Sequence, residues 1–393
     1  MIVVNGEYGE AKIFTDDVDE ESIKQIKTVL DDDIVEGQTV RMMPDVHAGN
    51  GCVIGTTMTV GDKVSPSLVG VDIGCGMATL KFDIDEIPKP ESINNVSFLT
   101  KKVDINDNHL EELDYVIKKY VPAGFNRREY SHDFLKFTDI ESLKCIDHVD
   151  INGGGRLSLG TLGGGNHFIE LNKGKNDDLY LVVHSGSRNL GLQVCNYYNK
   201  QAKLEWRKEH SKYDKRPFYV LEGELLEDYL HDMNIMQDFA VYNRLAIIDE
   251  IVSHINWLTV DLDNDVNHTI HNYIDLDNMI LRKGAISAQK NERVLIPINM
   301  RDGSIIADGK GNSDWNYSAP HGAGRLYGRR EAKNLFSLKE FEESMEGIYT
   351  TCVREGTIDE APFVYKSIDS ILSNLDDTVD VVDIIKPVYN FKA

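Results

Sequence analysis

The chain has 393 residues, 41% hydrophobic and 27% charged, enough for a substantial core and, on length alone, for roughly two or three domains or one large one. No run of about 18 apolar residues occurs and Met1-Ile-Val-Val-Asn-Gly-Glu7 has no leader pattern, so no helical membrane span is expected and a cytoplasmic protein is. The formal charge of −23 counts against non-specific nucleic-acid binding, which needs Lys and Arg to displace counterions, yet Lys203 to Arg216 and Arg325 to Lys333 are basic islands on an acidic body. Five cysteines without CxxC spacing argue against a disulfide framework or a zinc ribbon, so any that matters acts singly, as a thiolate.

Residues 1–40 read as a short strand followed by a helix near Glu21 to Leu30, with Ile23, Ile26, Val29 and Leu30 at helical spacing. Arg41 to Gly55 is glycine-rich and suits loops joining short strands around a site. Within it Asp45 and His47 read either as an orienting pair or as turn residues. Val69 to Met77 reads as a buried strand that releases Asp72 and Cys75 onto a glycine-hinged turn. There a carboxylate and a thiol can face one ion, or the thiol is inert packing. Between 80 and 150 strand and helix alternate, with Leu110 to Tyr120 helical and Pro122 to Tyr130 an exposed loop whose Arg127 and Arg128 are more simply solvated than phosphate-binding.

Gly160-Thr-Leu-Gly-Gly-Gly-Asn-His-Phe-Ile-Glu-Leu171 gathers a flexible backbone that can approach a ligand closely with an amide, an imidazole and a carboxylate, a vocabulary for nucleotide and metal. The alternative is a glycine-rich turn feeding a strand. Leu179 to Val183 reads as a strand ending in His184, with Ser187 as N-cap of a helix starting near Leu190. Residues 192–258 read as a helical insertion whose Ile235, Met236, Phe239, Ile247 and Ile251 follow a 3.6 period and belong to the core. The basic run Lys203 to Arg216 reads most simply as a solvated helix face, with RNA contact as the alternative. His268 and His271 are three apart, so on a strand only one of them can face a ligand. His321 precedes Gly-Ala-Gly and then Arg325, Arg329 and Arg330, which leaves room for phosphates and supplies cations to hold them.

Four histidines together with Asp72 and Cys75 recur at strand ends beside glycines and read as a metal cluster with a nucleotide beside it, zinc or iron by ligand softness. In Met43-Pro-Asp-Val-His47, Gly70-Val-Asp-Ile-Gly-Cys-Gly76, Gly160 to Glu170, His184-Ser-Gly-Ser-Arg188, His271-Asn-Tyr273, Arg282-Lys-Gly-Ala285 and Ser318-Ala-Pro-His-Gly-Ala-Gly-Arg325, the chain resembles the RtcB family of tRNA-splicing RNA ligases, a shorter bacterial branch of it, along nearly its whole length. The resemblance implies one large α/β (α+β) domain over 1–393, β-rich around a dinuclear site. It also implies two Mn(II) ions bridged by Cys75, one completed by His167 and His184 and the other by Asp72 and His271, in place of the softness guess.

The same resemblance makes His321 the nucleophile that takes GMP from GTP and passes it to an RNA 3′-phosphate, after opening any 2′,3′-cyclic phosphate, for displacement by a 5′-hydroxyl. It assigns GTP contacts to Asn166, His167, Phe168, Ile169, Glu170, His271, Asn272, Pro297, Ile298, Asn299, Met300, Ser304, His321, Gly322, Ala323, Gly324 and Lys392, and RNA phosphates to Arg188, Arg325 and Arg329. Some family members also require an archease-like activator. The chain departs from the longer members' Pro-Gly-Ser-Met at Pro297-Ile-Asn-Met300, and has Gly328 where a Ser is common. There is no GxxxxGK[ST] and no Lys-x-Asp-Gly. Two competing readings are a metal-dependent phosphodiesterase acting on cyclic phosphate ends, which needs no covalent GMP, and a non-catalytic RNA- or nucleotide-binding protein.

Overall fold

The computed structural model describes residues 1–84, 105–211, 213–259 and 266–393. Lys212 of the basic run, and residues 85–104 of the alternating segment, lie outside the described residues. The helix Glu20–Leu30 forms where the spacing predicts it. Its N-cap Asp19 accepts from Ser22 N–H, Glu20 and Glu21 complement the positive end, and Ile26, Val29 and Leu30 are buried. The second expected helix is Asp107–Tyr120, capped by Asn106.

Mixed α/β architecture follows, as expected. A six-stranded sheet runs in the order Ile2–Asn5, Glu10–Ile13, Val40–His47, Ile54–Thr59, Ile280–Lys283, Asn272–Asp275. A nine-stranded sheet has Val379–Lys392 near its middle, with Phe168–Lys173, Leu179–Ser185 and Gly76–Ile84 following on one side, and Gly303–Gly309 and Arg293–Asn299 on the other. Val266–Ile270 pairs with Gly76–Ile84. Leu179–Ser185 is buried almost throughout, as its unbroken apolar run requires of a central strand.

The expected loop joining short strands is 48–53, between Val40–His47 and Ile54–Thr59, but Val40–His47 runs further into the stretch than expected. It is an eight-residue strand, because Val40, Met42, Met43 and Val46 are all needed in the core, and the polar interruption survives only as a register shift between Met42 and His47. The helical stretch is a helix Arg188–Glu209 and a longer one, Gly223–Ser253. Met236, Phe239, Ile247 and Ile251 are fully buried in it, as their period predicts. Ser187 stands at the N-cap position, but its hydroxyl donates to the Ile73 carbonyl at 2.5 Å rather than capping the helix. Arg216, read as part of a solvated face, instead pairs with Asp32 and Asp33 at 2.5 Å.

The helix Gly223–Ser253 shares one core with the smaller sheet through Met233 and Phe239, and another with the larger sheet through Ile247 and Ile251. No helix among the described residues is long and apolar enough to cross a membrane.

Candidate active site and metal centre

Four neighbouring strands of the larger sheet stop at one edge, and each leaves a ligand-type side chain there. Antiparallel pairing sets Gly76 opposite both Ser185 and Ile270, and His184 opposite both Met77 and Phe168. Cys75, His184, His167 and His271 therefore lie at or just beyond the same edge, although up to 196 positions separate them in the chain. His271 is also the residue at which the chain crosses from the larger sheet to the smaller, between Val266–Ile270 and Asn272–Asp275.

The Cys75 sulfur lies 3.3 Å from His184 Nε2 and 3.4 Å from His167 Nε2, and His167 Nε2 lies 3.0 Å from Asp72 Oδ2. The donor atoms form two sets, Cys75 with His184 and His271, and Asp72 with Cys75 and His167, each within 4.8 Å. Cys75 belongs to both, as a bridging thiolate must. The sets divide the imidazoles differently from the resemblance, which places His167 with His184 and Asp72 with His271.

These residues fit a divalent cation. His167 Nδ1–H donates to Leu162 O at 2.9 Å and His184 Nδ1–H to Asn166 O at 3.1 Å, so each Nε2 keeps a lone pair for a ligand. Two acceptors, His167 Nε2 and the Asp72 carboxylate, then face each other at 3.0 Å, an arrangement that a cation between them satisfies. Burial, and then the neighbouring imidazoles, hold His184 and His271 well below the usual histidine range, so both are neutral. Burial followed by the Asp72 charge pushes the Cys75 thiol well up, so a bound ion is what would ionise it. For Asp72 burial works against the charge; without an ion, a proton on His167 Nε2 together with Arg188 would hold its carboxyl below the usual range, the place that a bound cation takes. His268, the alternative ligand, lies apart from both sets, and burial lowers it to about 3.

His321 follows the short strand Ser318–Pro320, and its ring centroid lies 4.8 Å from that of His271. Its Nδ1–H donates to Asp45 Oδ2 at 2.6 Å, which leaves Nε2 as the free lone pair. The fully buried Asp45 also accepts from Gly322 N–H at 3.2 Å. Asp45 is thus an orienting residue, but for His321. Towards His47 it offers only its backbone carbonyl, 2.8 Å from Nδ1. Gly324 has φ of 77°, and a Cβ there would stand 2.5 Å from the Asp45 carbonyl oxygen, so the His-Gly-Ala-Gly loop packs onto Asp45 only as glycine.

A cavity of about 430 Å³ opens beside these groups. It is lined by Asp72, Cys75, His184, His271 and His321, and by Asn166, Phe168, Glu170, Asn272, Pro297, Ile298, Asn299, Met300, Gly322, Ala323, Gly324 and Lys392 from the nucleotide expectation. Arg325 and Arg329 line it too. His167, Ile169, Ser304 and Arg188 do not. Ile169 is core and Ser304 is fully buried, each on a strand whose alternation turns it from the cavity. Arg188, with φ of 59°, donates to Thr161 Oγ1 at 3.2 Å and lies 3.3 Å from His167 Nδ1. The Asn299 side chain is committed to its own turn, bonding Arg301 N–H, Asp302 N–H and the Asp302 carboxylate.

One buried carboxylate gathers the cations of this cavity. Glu360 pairs with Lys392 at 2.6 Å and with Arg325 and Arg329 at 2.5 Å, and accepts from Tyr365 OH at 2.6 Å. Burial opposes its charge, but Lys392, Arg325 and Arg329 hold it at about 2. Asp359 takes a second contact from Arg329 at 2.8 Å, so the basic island is largely neutralised within the protein.

Asp45 orients His321 rather than the neighbouring His47 that the sequence pairs with it, and Glu360, Asn243 and Arg244 are site residues that the sequence did not reveal. Asn243 bonds the backbone of Gly160, Thr161 and Gly186, and fully buried Arg244 donates to Gly74 O and Ser185 O at 2.9 Å. The pair ties the loops carrying Cys75 and His184 to the long helix. The one available signal was two polar residues on an otherwise apolar helical stripe.

Fold and site together define a mixed α/β protein whose candidate metal centre opens on a cation-rimmed cavity with an oriented histidine. The family described as RtcB, tRNA-splicing ligase RtcB, matches residues 25–393. Among relatives, the RNA-splicing ligase RtcB of Escherichia coli (strain K12) is 30% identical over 385 residues, covering 90% of each chain. The tRNA-splicing ligase RtcB of Aeropyrum pernix is 27% identical over 438 residues, covering 92% of this chain and 90% of its own. The chain belongs to the RtcB family.

Proposed function

We propose that the protein is a cytoplasmic GTP- and Mn(II)-dependent RNA ligase that joins RNA 3′-phosphate or 2′,3′-cyclic phosphate ends to 5′-hydroxyl ends through a histidine–GMP intermediate, in RNA repair or tRNA splicing. The observation that carries this reading is His321 Nδ1–H held by Asp45 at 2.6 Å, in one cavity with Asp72, Cys75, His184 and His271 of the two ligand sets. Nε2 attacks the α-phosphorus of GTP, a P–N bond forms, and pyrophosphate leaves with the electrons of the broken P–O bond. An RNA 3′-phosphate oxygen then displaces Nε2 to give an RNA–GMP anhydride, and the 5′-hydroxyl attacks the RNA phosphorus and expels GMP. A cyclic phosphate is first opened by water. Asp45 keeps Nδ1 protonated and balances the cationic imidazole that forms. Manganese held by Asp72, Cys75, His167, His184 and His271 would neutralise charge on the phosphates. Arg325 and Arg329 would exchange part of their pairing with Glu360 and Asp359 for RNA phosphates, and an archease-like partner would assist turnover.

The test is incubation with α-labelled GTP and Mn(II) followed by denaturing electrophoresis. Label is expected on the wild type and absent from His321→Asn. An unlabelled wild type, folded and metal-loaded, moves the assignment to a cyclic phosphodiesterase.

Glu170 adds a pH signature. Burial raises it to about 7, while Lys392, Asn390 and Asn172 pull it back down. The folded state therefore holds this proton more tightly than the unfolded chain, and its contribution to stability falls as pH rises from about 4.5 to 7. Guanine N–H donors need the ionised carboxylate, so GTP affinity is expected to rise roughly tenfold per pH unit below 7 and then level off. Equilibrium dialysis against pH should give a rising profile for the wild type and a flat one for Glu170→Gln. Parallel profiles would remove Glu170 from the nucleotide site.

A further inference from the structure

Phe125 is 103% exposed and Tyr130 is 81% exposed, the two most exposed aromatic residues among those described. They stand on one irregular segment, 122–137, that also carries Phe137, 53% exposed, with Lys136 Nζ 4.8 Å from its ring centroid. Formally this segment has three cations, Arg127, Arg128 and Lys136, against two carboxylates, Glu129 and Asp133, in a chain of net charge −23. Arg128 pairs with Glu250, while among the described residues Arg127 donates only to the Gly153 carbonyl, at 2.6 Å. Water is a poor place for a phenyl ring with no packing partner.

The segment is joined to the candidate active site. Gly124 N–H donates to Gly163 O at 2.8 Å, and Ala123 forms a parallel bridge with the same glycine. Gly163 lies under Arg188, whose guanidinium a Cβ would meet at 2.0 Å, and Arg188 is 3.3 Å from His167. Phe125 directly follows Gly124 in the chain, so its segment is tied through Gly163 and Arg188 to the residues beside His167.

We infer that segment 122–137 is the landing surface for the single-stranded RNA flanking the ligatable end, with nucleobases stacking on Phe125 and Tyr130 and Arg127 meeting a phosphate. This rests on the RNA-ligase reading above. The acidic body decides the mode of binding. With net charge −23 and the arginines of the cavity already neutralised by Glu360 and Asp359, counterion release yields little, so the aromatic faces carry the affinity. Stacking is indifferent to base identity, which suits an enzyme that must accept broken ends of any sequence.

The test is fluorescence anisotropy with the full chain and a dye-labelled single-stranded octaribonucleotide bearing a 3′-phosphate. Phe125→Ala and Tyr130→Ala are each expected to weaken binding about 5-fold to 100-fold, and Phe125→Trp to keep it. An abasic strand of equal charge should bind the wild type and Phe125→Ala equally weakly. Guanylylation of His321 should be the same in all of these variants, since none touches the cavity. If the wild type is guanylylated but Phe125→Ala binds the octamer as the wild type does, the inference falls and the ligase reading stands. If the wild type neither takes label nor binds the octamer, both fall. A wild-type dimer in sedimentation that Phe125→Ala dissociates, with RNA affinity unchanged, assigns the surface to a second copy of the chain and overturns the inference.

Discussion

Cys75→Ala is expected to reduce manganese content after dialysis to near zero, while Asp72→Ala retains roughly half. The reason is geometric. The Cys75 sulfur belongs to both ligand sets, whereas Asp72 serves one, and both imidazoles flanking the sulfur approach it within 3.4 Å. Elemental analysis of the purified variants measures this, and equal manganese in the two would refute the bridging role. A double variant separates the two ways of dividing the ligands. If Asp72 and His167 hold the same ion, as their 3.0 Å separation favours, Asp72→Ala with His167→Ala keeps as much metal as either single change. If Asp72 instead shares its ion with His271, the same double variant loses both ions. Because burial and Asp72 hold the Cys75 proton, loading the site should also release protons and tighten with rising pH.

Asp45→Asn is expected to slow guanylylation roughly a thousandfold while leaving manganese content and GTP affinity near wild type. The carboxylate accepts from both His321 Nδ1–H and Gly322 N–H through one oxygen. An asparagine can place its NH₂ against Nδ1, which moves the imidazole proton to Nε2 and removes the lone pair that the proposed mechanism directs at phosphorus. The measurement is the single-turnover rate of label transfer from α-labelled GTP, with GTP affinity determined separately. A rate within about tenfold of wild type would reduce Asp45 to packing.

The same pair shows where reading the sequence stops. Asp45 sits two residues from His47, and that proximity suggested the partnership. The strand Val40–His47 instead holds Asp45 in the core, where the carboxylate meets a histidine 276 positions away. Glu360 gave no local sign at all, since its neighbours Asp359 and Ala361 carry no motif, and its importance arises only when Lys392, Arg325 and Arg329 converge on it. Arg325 and Arg329 looked like free phosphate binders because sequence shows the cations without the carboxylates that answer them.

What the sequence determined by itself is local and chemical. The helical periods of 20–30 and 223–253, the apolar run of 179–183, the glycine-flanked Asp72, Cys75, His167, His184 and His321, and the rule that only one of His268 and His271 can face a ligand all follow from side-chain type and spacing, which neighbouring residues fix. The tertiary structure alone decided which of these groups meet. Antiparallel pairing brought four strand ends to one edge, the long helix tied the Cys75 and His184 loops together through Asn243 and Arg244, and the fold of Val40–His47 gave His321 its acceptor. The physical reason is that strand register and buried pairing are set by contacts between residues far apart in the chain, and no local pattern carries that information.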